Sequence, residues 1–220
     1  MIFDIPSGQS AVGDIFNWFV SKVCDSDHKL FAKLTDEASK LVPGKSGLLA
    51  LDWQNGNINI LCDQQLTGLI MGMTLHTAQA EIFRALIEAT AFGARKIIDR
   101  LEEHGIVIKE IICCGGIAKK SPLLMQIYAD ILGRKLLISD SDQSCAYGAT
   151  IFASVIAGKY KTTEEAQAKL CRFKDKTYIP NATDQKIYDK LYKLYSELHD
   201  SFGTGTHSKL MKTLIQIKKY

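Results

Sequence analysis

Apolar residues recur at helical spacing most persistently over 77–104, where Phe83, Leu86, Ile87, Thr90, Ala94, Ile97, Ile98 and Leu101 share one side. The pattern predicts a long helix, on the order of 40 Å, capped by Thr77 and stopped at Gly105. Ala89, Ala91, Gly93 and Ala94 thin its middle, which suits close packing against another element. Glu88 lies among them and is expected to pair with an arginine or a backbone amide rather than to do chemistry. Upstream, a helix is expected with Ile15, Phe16, Phe19 and Val23 on one side, with Gly8 and Ser10 at its mouth as permissive turn and cap. A second segment, 30–41, closes at Pro43-Gly44. Small residues over 145–157 predict a helix ending at Gly158. From Thr162 the chain reads as helical and charged, with Leu191, Leu194, Tyr195 and Leu198 as a docking stripe. A closing helix carries Leu210, Met211, Leu214 and Ile215.

Between these lie short apolar runs. Residues 47–53, a turn at 54–57 and residues 58–62 suggest strand, turn and strand. Residues 111–114 and 135–139 read as strands, with a polar loop over 140–144. Strands alternating with helices argue for an α/β fold. The chain is expected to be organised around 108–133. There the run Ile111-Ile-Cys-Cys114 stops at Gly115-Gly116, and Ser121-Pro122 opens a helix by supplying an N-cap hydroxyl and a proline that loses no hydrogen bond at the first helical position. Two residues without Cβ let a flat or anionic ligand approach the backbone, and free amides at a helix start favour polar acceptors. Gln126 and Asp130, four apart, share a helix face. An ordinary βα turn has the same ingredients, so the glycine pair alone leaves both readings open.

Composition narrows the function classes. With 220 residues, 46% of them hydrophobic, the chain can bury a substantial core. The net charge of +3 and the lack of a basic stripe with interleaved aromatics argue against nucleic-acid binding, and Lys212, Lys218 and Lys219 read as a solvated face. No apolar run reaches the length of a membrane span and no signal peptide is evident, so no membrane association and a cytoplasmic location are expected. Cys24, Cys62, Cys113, Cys114, Cys145 and Cys171 form no C-x-x-C pair. They are expected to be small buried hydrophobes in a reducing compartment, Cys113 and Cys114 on opposite strand faces. The five histidines lack ligand spacing, so no metal site is expected. A dinucleotide-binding reading is weak, because Gly115-Gly116 lacks the G-x-G-x-x-G spacing.

The run Gly115-Gly-Ile-Ala-Lys-Lys-Ser-Pro-Leu-Leu-Met-Gln-Ile-Tyr-Ala-Asp130 resembles the FGGY carbohydrate kinases and, within them, the ribulokinases. The resemblance covers nearly the whole chain. It extends through Gly8-Gln-Ser-Ala-Val-Gly-Asp-Ile-Phe16, Gly47-Leu-Leu-Ala-Leu-Asp-Trp53, Asn55-Gly-Asn57, Leu66-Thr-Gly-Leu-Ile-Met-Gly-Met-Thr74, Ile82-Phe-Arg-Ala-Leu-Ile-Glu-Ala-Thr-Ala-Phe-Gly93 and Leu198-His-Asp-Ser-Phe-Gly203. Several linked motifs in order are far more specific than one glycine pair. Two departures stand out: Ser121 occupies a place where many relatives carry Asn, and Ile58 follows Asn57 where ribulokinases commonly have a basic residue.

The resemblance implies an actin-like, ribonuclease H-like ATPase domain with long packing helices, incomplete at its N-terminal side, with 1–220 as the C-terminal nucleotide-binding domain and 160–220 as a helical extension. It implies ATP with Mg²⁺ held mainly through the nucleotide and the missing half, and nucleotide contacts from Gly8, Gly115, Gly116, Ser121 and Gln126. Gly115 and Gly116 match glycines lying against the adenosine, while Gln126 lies on a helix face that serves structure or site. The expected reaction is ATP plus L-ribulose to ADP plus L-ribulose 5-phosphate, with xylulose, ribitol or another pentose as alternatives. The family's sugar-binding domain, catalytic aspartate and phosphate-holding hairpins have no counterpart in this sequence. The 220 residues alone are therefore expected to be catalytically inactive, with no catalytic residue of their own and the sugar reached through the absent domain. A non-enzymatic module that self-associates through uncovered apolar surface is the other reading.

Overall fold

The computed structural model describes residues 7–26 and 28–218. Its organising element is a 25-residue helix, not the glycine-bearing stretch expected for that role. Along this helix, α3 (Gln79–Glu103), Ala80 and every residue from Phe83 to Gly93 are buried. Around it pack the short helix α1 (Gly13–Trp18), α2 (His28–Ser39), strand β1 (Leu49–Leu51), α5 (Pro122–Leu132) and α8 (Ala182–Gly203). Small residues at Ala89, Ala91 and Gly93 allow that crowding: a Cβ on Gly93 would collide with the Asp52 carboxylate and the Gln9 amide.

The start of α3 differs from expectation. Ala78 stands at the N-cap, and Glu81 reaches back so that its Oε2 accepts from the Ala78 N–H at 2.8 Å. Thr77 instead turns toward the preceding loop, where its Oγ1 accepts from the Thr74 N–H at 2.8 Å. The acidic first turn also suits the positive end of the helix. Gly105, at φ +83°, stops the helix as anticipated.

Two small sheets flank this trunk. β1 pairs antiparallel with β2 (Leu69–Met71), Ala50 opposite Ile70. Residues 58–62 are not the partner strand. The Asn57 and Asp63 backbones bond each other at 2.8 and 2.9 Å, and Asn57 Oδ1 accepts from the Ile60 and Leu61 amides, curling the segment into a closed loop. β3 (Ile111–Cys113) pairs parallel with β4 (Leu136–Ile138), Ile112 opposite Leu137. α4 (Gly115–Lys120) and α5 connect them, so the expected glycine turn is itself the start of a helix.

The remaining helices are α6 (Ser144–Ile156), α7 (Thr163–Leu170), α8 and α9 (Ser208–Lys218). The 160–220 region is not uniformly helical. Tyr178 exchanges backbone bonds with Leu136 at 2.9 and 3.1 Å, so the segment before α8 lies along β4. Among the described residues no helix is long and apolar enough to cross a membrane.

Several side chains depart from their expected faces. Val23 is 54% exposed while Val20 is buried, because α1 runs into a π-helical turn (Phe19–Val23) whose Cys24 N–H reaches Phe19 O and rotates later residues off the core face. On α8 the buried line runs through Tyr188, Tyr195, Leu198 and His199, leaving Leu194 exposed. Leu210 and Leu214 of α9 are exposed and Met211 alone is buried. The cysteines are not buried hydrophobes: Cys62, Cys114, Cys145 and Cys171 are exposed, and Cys24 and Cys113 half-buried. Lys219, expected on a solvated face, lies outside the described residues.

Candidate functional site

At the end of β3 the chain is extended at Cys114, enters the left-handed region at Gly115 (φ +87°) and turns directly into α4. The backbone itself requires a glycine at 115. A Cβ placed on Gly115 or Gly116 would meet nothing within 4 Å, so internal packing does not demand the bare backbone at 116. That backbone instead faces open space.

Gly116 and Ser121 line a cavity of about 840 Å³. Its apolar wall comes from Phe16 of α1, Phe31 of α2, Phe83 and Ile87 of α3, and Ile117 of α4. The Phe31 and Phe16 rings meet Phe83 edge-on at 5.4 and 6.0 Å between centroids. Gly13 completes the wall: a Cβ there would lie 2.6 Å from Ile117 Cδ1, so the glycine lets the start of α1 close on α4. An apolar pocket of this size with a few polar groups at its rim is the usual form of a small-molecule site. Sequence reasoning missed Gly13 and Phe16. Their signal lay inside the run from Gly8 to Phe16, where attention fell on the first glycine.

The five residues singled out from the sequence separate in space. Gly116 and Ser121 share the cavity wall, with Gly115 next to them in the chain. Ser121 also caps α5, accepting from the Leu124 N–H at 3.4 Å, with Pro122 at the first helical position as anticipated. Gln126 does not line the cavity. It shares a face with Asp130 as predicted, but its Nε2 donates to Asp130 Oδ1 at 2.8 Å and to Ile179 O at 2.9 Å. Asp130 Oδ1 also accepts from the Asn181 N–H at 2.7 Å, so this pair positions the start of α8. Burial pushes the Asp130 carboxyl up, against the pull of those bonds.

Gly8 lies in a separate narrow crevice with Asp52, Gly93 and His199. Gln9, not Gly8 or Ser10, does the joining there: its Nε2 donates to Asp52 Oδ2 and to Thr90 O, both at 2.7 Å. Tyr195 Oη donates to Asp52 Oδ1 at 2.8 Å. Burial raises the Asp52 carboxyl, and the Gln9 and Tyr195 bonds pull it back. Burial lowers His199, whose Nδ1 is 2.9 Å from Asp200 Oδ1. The crevice holds about 20 Å³, room for a water but not for a nucleotide.

Lys119 anchors α4 to the following loop by donating to Asp140 O at 2.9 Å and pairing with the Asp142 carboxylate. Lys120 lines the large cavity. Among the described residues no three His, Cys, Asp or Glu side chains are grouped to hold a metal ion.

The model of the FGGY family of carbohydrate kinases, C-terminal domain, matches residues 5–157. A ribulokinase of Halalkalibacterium halodurans is 46% identical over 96% of this chain and 40% of its own length. A ribulokinase of Anoxybacillus flavithermus is 46% identical with the same coverage. The chain thus spans about two fifths of the length of the relatives it matches. Among solved structures, the xylulose kinase of Rhodospirillum rubrum superposes with a TM-score of 0.77 at 25% identity, covering 88% of this chain and 38% of that one. The Plasmodium falciparum glycerol kinase with ADP gives a TM-score of 0.68 at 21% identity, covering 85% of this chain and 37% of the other, a likeness of fold.

Proposed function

Because the chain belongs to the FGGY family of carbohydrate kinases, we propose that it is the ATP-binding portion of such a kinase, most closely one that phosphorylates L-ribulose to L-ribulose 5-phosphate. One observation carries the nucleotide part of this reading: the apolar cavity ends at the bare backbone of Gly116, one residue after the left-handed Gly115. The cavity takes the adenine among Phe16, Phe83 and Ile87, and the ribose and phosphates pass the glycine pair, where no side chain stands in the way. The sugar assignment rests on the ribulokinases at 46% identity.

Phosphoryl transfer depends on positioning and on neutralising phosphate charge. This chain supplies positioning for the nucleotide. Among the described residues no three His, Cys, Asp or Glu side chains are grouped to hold a divalent ion, so on this reading such an ion is held mainly through the nucleotide. On this reading, as the family resemblance implies, sugar contacts and the base that activates the sugar hydroxyl are assigned to the part of a full-length kinase that this chain, matching 40% of such a relative, does not span.

Calorimetric titration of the folded chain with Mg·ATP and Mg·ADP tests the proposal. Saturable binding, weakened at least tenfold by Gly116→Val, is the expected result. The valine side chain enters open space rather than the core, so the variant should keep its melting temperature. Equal affinity in a folded Gly116→Val variant would remove the glycine from the site.

A second reading, self-association, is favoured by exposed apolar side chains at Ile112 on β3 and at Phe152 and Ile156 on α6, the last 87% exposed. Light scattering over a concentration series decides it: growth in mass supports association, and a constant monomer mass excludes it.

A further inference from the structure

Residues 7–10 run as a strap along the narrow crevice and are tied to its walls. Asn59 Nδ2 donates to Ser7 Oγ at 2.9 Å, Asn55 Nδ2 donates to Ser10 O at 3.2 Å, and Gln9 joins Asp52 to Thr90. Yet three residues that line this crevice carry a buried polar atom with no hydrogen-bond partner among the described residues: Ser10 Oγ, Trp53 Nε1 and His199 Nε2. They belong to the strap, to the segment after β1 and to α8. The Trp53 and His199 side chains are each 1% exposed and meet edge-on at 5.1 Å between ring centroids. An unpaired polar atom is costly in the interior, and three around one cavity call for a shared partner.

The chemistry of the three atoms specifies that partner. The indole N–H of Trp53 only donates. The Asp200 carboxylate, 2.9 Å from His199 Nδ1, only accepts, so Nδ1 carries the imidazole proton and Nε2 presents a lone pair, burial keeping the ring neutral. The Ser10 hydroxyl does either. A cation would gain nothing from the Trp53 N–H and would be repelled by Lys96. An anion would meet the Nε2 lone pair and be repelled by Asp52; Lys96 and Asp52 both line the crevice. A volume of about 20 Å³ admits one small molecule that donates and accepts at once.

We propose that the crevice is a binding site for a single water, which accepts from Trp53 Nε1, donates to His199 Nε2 and shares a bond with the Ser10 hydroxyl, coupling the strap to the trunk and to α8. Because the strap runs directly into α1, the water also fixes where that helix begins. The site is separate from the cavity beside Gly116, so it stands or falls without the nucleotide reading.

A crystal structure of the chain at a resolution that orders solvent is the direct test. One peak within about 3.2 Å of all three atoms, unchanged when chloride in the crystal is replaced by bromide, is the expected result. An empty crevice, an anomalous bromide peak, or side chains turned to bond one another would overturn the proposal. Hydrogen exchange tests the coupling. The Gly56 and Asn57 amides, bonded to Trp53 O at 3.0 Å and Asp63 O at 2.9 Å, report opening of the loop that lines the crevice. Trp53→Phe and Ser10→Ala should each speed their exchange about fivefold, the equivalent of one hydrogen bond, with the amides of α5 unchanged. The double variant should exchange about as fast as either single one, because each substitution already breaks the shared set. Effects that multiply in the double variant, or no change in either single one, would overturn the coupling. Should Trp53→Phe not fold, Ser10→Ala and the crystal structure still decide the question.

Discussion

The buried half of α3 and the β3–α4 junction follow opposite rules. Along α3, each polar group that enters the core is answered. Arg84 donates from Nε to Glu88 Oε1, from Nη1 to Ala38 O and from Nη2 to Tyr188 Oη, all at 2.8 Å, and Tyr188 Oη donates to Glu88 Oε1 at 2.9 Å. One arginine thereby ties α2, α3 and α8 together. Burial pushes the Glu88 carboxyl up, and Arg84 pulls it back down. At the β3–α4 junction the backbone is bonded but the side chains are left uncovered: Ile112 is half exposed, Cys114 is exposed, and a Cβ on either glycine would meet open space. The first region spends its side chains on order, and the second withholds them where a ligand fits.

If that contrast is right, substitutions along α3 should cost stability and those at the junction should cost binding. The largest loss is expected for Arg84→Met, which strands Glu88 and Tyr188 without the guanidinium. Urea unfolding should show a loss of about 3–5 kcal/mol, the usual result of breaking a buried pair from one side. A loss under 1 kcal/mol would mean that the network is not holding α2 and α8 to the trunk. Gly93→Ala follows, at about 1–3 kcal/mol, because the added methyl collides with the Asp52 carboxylate and the Gln9 amide. Asn181→Ala should cost about 1 kcal/mol, since Asn181 Oδ1 accepts from the Thr183 and Asp184 amides at the start of α8.

The smallest effect concerns pH. Burial holds His199 below its ordinary value, so the unfolded chain takes up a proton there before the folded chain does. The corresponding stability is complete above the ordinary histidine range, about 6.5, and is lost as the pH falls through it toward the folded value. Asp52, raised by burial, works with the opposite sign. The unfolding midpoint of the wild-type chain should therefore fall more steeply between pH 8 and 5.5 than that of His199→Gln. Parallel slopes would count against the buried neutral imidazole.

Much of the fold was legible because periodicity reports burial directly. The span of α3, its glycine stop, the Ser121-Pro122 helix start and the pairing of Glu88 with an arginine all followed from local chemistry. Strand pairing did not. Residues 58–62 look apolar enough for a strand, but Asn57 captures their amides, and β1 pairs instead with a segment eighteen or more residues away. The misplacement of Val23 has a similar cause, since a π-helical turn breaks the 3.6-residue count without any marker in the residue types. At the candidate site, the glycine pair and Ser121 were visible as a motif, whereas Gly13, Phe16 and Phe31 come together only through tertiary packing. Gln126 misled for the converse reason: its helix face is real, but Ile179 and Asp130 occupy it.

Hydrogen–deuterium exchange of the chain with and without saturating Mg·ADP puts the central claim, that the cavity beside Gly116 is the nucleotide site, to its most direct test. Slower exchange should be concentrated in α1, α2 and the backbone from Gly115 to Ser121, with α8 and α9 unchanged. Protection elsewhere, for instance around Gly8 and His199, with none at α1, α2 and α4, would contradict it.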